Sequence, residues 1–282
     1  MTVREKVVAA RSELSPAEAR VAGLVLAEPA AVAFGTVAEL ARRAGAGGAT
    51  VVRFTAKVGY RGFGELQASV RAELSESLRP AAERIREPAP RDVVDLTLRA
   101  ELDNVRATIQ GVDRQAFAEA VRLLSRRSAR VLVASGEASA GVALLLRDHL
   151  SMLRPAVELV GGSPVRAVSQ LAQARAGDVL VAIDIRRYDR WVLDALEQAA
   201  GAGLHILALT DGPLSPLARR ATVAFLVAAE GGGPFDSHVG ELVLVNALLA
   251  GVAAQLRTGA ADRLDAIEAA WAGASVLVDR RT

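Results

Sequence analysis

The densest chemistry in this 282-residue chain lies in five consecutive residues, Asp184-Ile185-Arg186-Arg187-Tyr188, directly after an apolar run. Adjacent guanidiniums can clamp a phosphate or carboxylate through paired N–H donors. The Asp184 carboxylate would repel such an anion and can accept hydrogen bonds from a sugar hydroxyl or an amine. Tyr188 adds a stacking face and an O–H donor. A plainer reading stays open, in which Asp184 caps the next helix or pairs with Arg187 or Arg190 and the pocket is vestigial. Spacing does not decide which of Arg186 and Arg187 points inward. A second group lies at Asp236-Ser237-His238 and Glu241. His238 can act as a general acid or base near neutral pH, Ser237 would face a pocket rim, and Asp236 would cap a helix. No second base is well placed beside them, so the expectation is binding without catalysis. A third group is Thr50, Arg53 and Lys57, spaced i, i+3 and i+7. A hydroxyl and two cations on one helical stripe can reach base edges and phosphates in a major groove. Arg61, just beyond, can hold a phosphate, and Thr36 at the start of the preceding helix is counted with this set. The bland alternative is a solvated charged face on a small helical bundle.

The elements that must position these groups come in two styles. Up to about residue 86 the pattern is helical. Ser15 caps a helix opened by Pro16, with Val21, Leu24 and Val25 as its apolar stripe. Thr36 caps Val37–Ala44, and Glu39 completes a capping box. The loop Gly45-Ala46-Gly47-Gly48 leads to a helix over Ala49–Val58, stopped by Gly59, and another begins near Phe63. Gly47 is a weaker cap than Ser or Thr. Val37, Leu40, Ala41, Val52 and Val58 are expected in a core anchored by Phe54. Helix, Gly-containing turn and helix have the proportions of a helix-turn-helix. The prolines of 87–92 read as a linker, Asp92–Gln110 as an amphipathic connecting helix, and Asp113 as the cap of a helix to about Leu124.

From residue 130 apolar runs at Val131–Ala134, Val157–Val160, Val179–Ile183, Ile206–Leu209 and Val223–Val227 alternate with helical segments. That alternation argues for a parallel sheet covered on both faces. Ligands of such sheets enter at the loops beyond the strands' carboxyl ends, and Asp184–Tyr188 is one of these. The expected division is 1–86, a connector over 87–110, and 111–282. The last helix, Leu242–Leu256, is apolar almost all round and should be buried in a core or against a partner, which suits a homodimer or a dimer of dimers.

Composition narrows the classes. Hydrophobic residues make up 51% and charged residues 23%, which excludes a disordered chain. Residues 1–86 hold 13 Lys+Arg against 9 Asp+Glu, a net of +4, while the remainder holds 21 against 23, a net of −2. A basic head on an acidic body suits a head that meets a polyanion. There is no Cys, and His149, His205 and His238 lack ligand-like spacing, so no metal or other cofactor is expected. The start lacks the apolar core of a signal peptide, and 242–256 is shorter than a membrane span. A cytoplasmic protein without a membrane partner is expected.

The run ATVVRFTAKVGYRGFGELQASVRAEL closely resembles RpiR-type transcriptional regulators, whose pattern Thr50-Val51, Arg53-Phe54, Val58-Gly59, Gly62-Phe63 and Leu66 follow in order and spacing. The upstream LSPAEARVAGLVL also fits, so the resemblance covers roughly 10–78. It implies a double-stranded DNA operator as partner. It also implies a sugar isomerase (SIS) domain behind the head, a flavodoxin-like αβα sandwich with a five-stranded parallel sheet that binds phosphosugars. Residues 110–260 look like that domain, and LALTDGPLSPLARRATVAF is similar to its fourth-strand loop, with Thr210, Asp211, Ser215 and Pro216 in matching positions. Ser139 stands where such domains place a phosphate-contacting Ser, at a helix start whose N–H groups and dipole favour an anion. The chain departs from the family after the third strand, where a Ser-x-Ser-Gly-x-Thr-like loop is usual, and at Glu137, where a second Gly is usual. The resemblance therefore implies a transcriptional regulator of α plus α/β architecture, controlled by a small anionic metabolite, a sugar phosphate or sugar acid, in a non-catalytic domain. A phosphosugar isomerase or deaminase, and a dimeric DNA-binding protein without a ligand, remain as alternatives.

Overall fold

The structure, a computed structural model, describes residues 3–77, 79–86, 92–213 and 215–276. Two compact units divide at residues 87 and 88.

The first unit contains helices α1 (Val3–Ala9), α2 (Pro16–Ala27), α3 (Pro29–Phe34), α4 (Val37–Arg43), α5 (Gly48–Lys57), α6 (Phe63–Ser77) and α7 (Ala81–Arg84). Capping boxes start α2 and α4: Glu18 and Glu39 accept the backbone N–H of Ser15 and Thr36, both at 2.8 Å, and return their own N–H to the capping hydroxyls. Gly47 starts α5 with no side-chain bond. Gly45 has φ of +58°, a left-handed turn that suits glycine, and Arg20 donates to the carbonyls of Ala44 and Gly45 beside it. The core gathers Val21, Val25, Leu40, Val51, Phe54 and Leu66. Val52, expected inside, is 51% exposed. Val51, Phe54, Thr55 and Val58 fill the inner face of α5, and one residue of helical phase turns Val52 outward. Helix α3 was not anticipated; its end is closed by Gln67 and Arg71 of α6, which donate to the carbonyls of Val32, Gly35 and Ala33.

The second unit contains α8 (Val93–Gln110), α9 (Arg114–Leu124), β1 (Val131–Ser135), α10 (Ala140–Leu153), β2 (Val157–Leu159), α11 (Pro164–Ala172), β3 (Val179–Ile183), α12 (Arg190–Gly201), β4 (His205–Thr210), α13 (Pro216–Arg220), β5 (Val223–Leu226) and α14 (Val239–Ala274). The strands form one parallel sheet in the order β2-β1-β3-β4-β5. Alternate residues of β1 serve opposite faces: Val131 and Val133 join a core with α9, α10 and α14, whereas Leu132 and Ala134 join one with α11, α12 and α13. After β1 the chain turns outward to β2, then crosses back to β3. The loops leaving β1 and β3 therefore part from each other at the switch point of the sheet, where a crevice forms in such folds.

Two helices differ from expectation. The connector α8 packs on α14 as part of this unit; Thr108 accepts the Ala228 N–H at 3.0 Å, and Asn104 bonds both the N–H and the carbonyl of Glu230 at 3.1 and 2.7 Å. Helix α14 runs far beyond 256, across a break at Arg257. It buries Leu244, Val245, Leu248 and Val252 against the sheet, while Asn246 and Ala250 stay exposed, so within one chain it is not buried on every side. It is long and apolar enough to cross a membrane, yet that inner face marks a core helix.

Candidate nucleic-acid interface and candidate ligand site

Helix α5 presents Ala49, Val52, Arg53 and Ala56 outward. Arg53 is a cation of this face, 63% exposed; its Nη2 is 3.2 Å from the Thr50 hydroxyl and its Nε 3.9 Å from Glu18 Oε1. Thr50 itself is buried, so of the two it is Arg53 that reaches out. Lys57 differs from expectation. Its ammonium donates to Glu18 Oε2 and to the Glu13 carbonyl, both at 2.8 Å, which ties α5 to the start of α2. That ammonium, followed by the Ser15 N–H and hydroxyl, holds the Glu18 carboxyl down to about 2. A cation bound this way braces the helix, though its side chain is 37% exposed. Thr36 acts as a cap for α4. Arg61 is 92% exposed and lies 3.4 Å from Glu65, whose carboxyl is lowered chiefly by the Arg61 N–H. Residue-type reasoning missed Val52 as a face residue; the spacing of Val51, Phe54 and Val58 carried the signal.

In the second unit, the loops after β1, β3 and β4 and the start of α14 bring the other group together. Asp184 is 2% exposed at the end of β3. Its Oδ1 accepts the Ile185 N–H at 3.0 Å and its Oδ2 the Asp189 N–H at 2.7 Å, so it closes its own loop. Asp189 in turn accepts the Glu137 N–H at 2.7 Å, which links the β3 loop to the β1 loop. A Cβ on Gly136 would fall 2.3 Å from Asp184 Oδ1, so only glycine leaves room for this carboxylate. Burial pushes Asp184 up to about 6.

Arg186 occupies a left-handed conformation with φ of +59° and is buried. Its guanidinium is 2.7 Å from Glu230 and 3.4 Å from Asp236. The Arg186 half of the expected clamp is therefore already engaged by the chain's own acids, and Arg187 is exposed. Tyr188 donates to Asp211 Oδ1 at 2.7 Å, and burial, with Asp211 beside it, pushes the phenol up. Thr210 is buried against Asp211, and Ser215 caps α13 by accepting the Ala218 N–H.

Ser139, expected at an anion, instead donates to Glu241 Oε1 at 2.8 Å. The other oxygen of this fully buried carboxylate lies 2.6 Å from His238 Nδ1, and that contact raises the imidazole pKa. Ser237 donates to Glu101 of α8. Glu241 as a hub was legible from His238 three residues earlier, but Glu101 and Glu230 come from distant elements that no local pattern connects. The group is dominated by carboxylates, with Arg186 as its buried cation and His238 as a half-buried imidazole. Hollows of about 640 and 480 Å³ lie on the amino side of the strands, beside Thr222–Ala224 and Asp178, away from these loops. Among the described residues no group of three His, Cys, Asp or Glu side chains fits a metal ion.

Comparison with known proteins agrees with both units. Residues 1–77 match the helix-turn-helix domain of the rpiR family and residues 123–251 the SIS domain. The bifunctional protein glk of Paraburkholderia xenovorans is 25% identical over 279 residues, 96% of this chain, but the chain spans only 43% of that relative's length. The NanR protein of Vibrio vulnificus, complexed with ManNAc-6P, is 23% identical with a TM-score of 0.58, over 97% of this chain and 100% of its own. The sugar isomerase domain of an RpiR transcription factor from Sphaerobacter thermophilus is 30% identical, with a TM-score of 0.57 over 63% of this chain and 99% of its own. With a helix-turn-helix head, a five-stranded parallel SIS sheet and this likeness, the chain belongs to the RpiR family.

Proposed function

We propose that the protein is a cytoplasmic transcriptional regulator whose head binds an operator in double-stranded DNA and whose SIS unit senses a small sugar-class metabolite without transforming it. The observation that carries the DNA reading is the outward face of α5, where Arg53 stands between the methyl-bearing side chains of Val52 and Ala56 behind a Gly-rich turn. The sugar class is carried over from NanR, which has this architecture and is complexed with ManNAc-6P. An anionic effector was expected because of Arg186 and Arg187. Since Arg186 is paired with Glu230 and Asp236, the metabolite is not required to be an anion. The non-catalytic reading is supported by the helix-turn-helix head carried on the same chain; the buried Glu241 carboxylate, bonded to Ser139 and 2.6 Å from His238, is by itself compatible with an oriented general acid or base. Turnover of a phosphosugar panel, lost in His238→Ala, would establish an isomerase instead.

A homodimer, or a dimer of dimers, is part of the proposal. Val94, Leu98 and Leu102 leave an exposed apolar stripe on α8 at i, i+4 and i+8, and two-fold symmetry would pair two heads on two half-sites. A metabolite shifts operator affinity only if it binds unequally to two arrangements of the protein. Fluorescence anisotropy on a bound duplex, repeated across a panel of sugars and sugar derivatives, is the test. We expect at least one compound to change the affinity fivefold or more, about 1 kcal/mol of coupling. An unchanged affinity across the panel would favour a DNA-binding scaffold without a ligand.

A further inference from the structure

We infer that Asp184 is a built-in substitute for a ligand's phosphate, and that the site between the β1 and β3 loops takes an unphosphorylated, hydroxyl-rich metabolite. This deepens the metabolite-sensing reading above and rests on it. The N–H groups of loops that leave parallel strands and enter helices are the usual seat for an anion, because they converge and carry partial positive charge. In this chain three of those N–H groups and one hydroxyl already face carboxylates. The N–H groups of Ile185 and Asp189 donate to Asp184, the Glu137 N–H donates to Asp189, and the Ser139 hydroxyl donates to Glu241. The occupant is tied to the loop it holds, so a free phosphate competes against a group at high effective concentration. A phosphate that entered would also meet the charge it had displaced.

Glycine at 136 supports the assignment. The Asp184 carboxylate lies where any side chain at 136 would project, so the β1 loop is shaped around it. Of the two arginines in the loop, Arg186 has its charge matched by Glu230 and Asp236, and Arg187 is exposed. The half-buried carboxylates that remain to meet a ligand are acceptors. Asp189 and Asp211 are only half-buried, and each has an oxygen beyond the one that accepts the Glu137 N–H or the Tyr188 hydroxyl. Carboxylates with spare lone pairs suit hydroxyl donors. A neutral sugar offers those donors without adding negative charge.

The test uses the full chain and its thermal unfolding midpoint. Millimolar inorganic phosphate should leave the wild-type midpoint where chloride of equal ionic strength leaves it. Asp184→Ser, with its carboxylate gone and a hydroxyl added, should gain a rise of about 2 °C or more from phosphate. Should the serine variant not fold, Asp184→Asn removes the charge and keeps the shape. Pairs of a sugar and its phosphate, ManNAc and ManNAc-6P among them, are compared on the wild type, and stabilisation by the unphosphorylated member is expected. Wild-type stabilisation by inorganic phosphate, preference for the phosphorylated member of a pair, or a folded variant that stays blind to phosphate would each overturn the inference. If no member of any pair binds, the metabolite-sensing reading falls, while the phosphate response of wild type against variant still decides whether Asp184 fills an anion seat.

Discussion

At the scale of single residues, the account turns on charges that the chain holds for itself. Asp184 and Gly136 form one such unit. Gly136→Ala should cost about 1–3 kcal/mol, the usual penalty for overpacking a close contact. Much of that should return in the double variant with Asp184→Ala, because the colliding carboxylate is gone; urea unfolding of the four proteins measures the coupling. Equal and additive losses would contradict the contact. Asp184 should also give the fold a pH signature. Its carboxyl is raised to about 6 from an ordinary 3.8, so protonation stabilises the folded chain at low pH and that advantage is lost as pH rises through 6. Asp184→Asn has no such group. The stability of wild type relative to this variant should therefore fall between pH 4 and pH 7, and a constant difference would mean that the charge is not buried. In the head, Lys57→Ala should lower the unfolding midpoint more than Arg53→Ala, because the Lys57 ammonium is 2.8 Å from the buried Glu18 carboxylate and the Arg53 guanidinium 3.9 Å from it, whereas Arg53→Ala should be the variant that weakens duplex binding. Thermal unfolding and anisotropy, measured on both variants, separate the two roles.

At the scale of elements, helix α5 has a face made of methyl groups and one guanidinium. Val52 offers an apolar contact of the kind that reads a thymine methyl. Val52→Ser should change base preference at one position of the half-site, by about 1–3 kcal/mol there, with affinity elsewhere preserved; sites selected by the two proteins show it. Elements written in local signals were legible in the sequence. Ser15, Thr36 and Asp113 cap their helices, and β3 spans Val179–Ile183 as its apolar run indicated. Helix α3 was not, because the groups that close it, Gln67 and Arg71, lie more than thirty residues away. The face of α5 was misjudged by one residue, which is enough to exchange Val51 and Val52 between core and solvent. The candidate site was legible as a set of loops but not as a network. Asp184 was read both as a ligand group and as an internal cap, and the Asp189 N–H that it accepts is local. The partners of Arg186, Ser139 and Ser237 arrive from 44, 102 and 136 residues away, and their pairing depends on the assembled sheet.

At the scale of the whole molecule, the two units divide the work that charge and topology suggest. The basic first unit carries the helix-turn-helix, and the slightly acidic second unit buries Asp184 and Glu241 by the loops at the carboxyl ends of a parallel sheet. Phosphate contacts supply affinity without sequence information, whereas base contacts supply the sequence. A regulator must therefore retain a preference when salt weakens the first term. The most direct measurement is selection of duplexes from a random pool by the full chain at moderate salt, with Arg53→Ala as control. The account expects one enriched sequence, with two half-sites if the protein is a dimer, and loss of that enrichment in the variant. A pool that stays random, or a variant that enriches the same sequence as strongly as wild type, would contradict it.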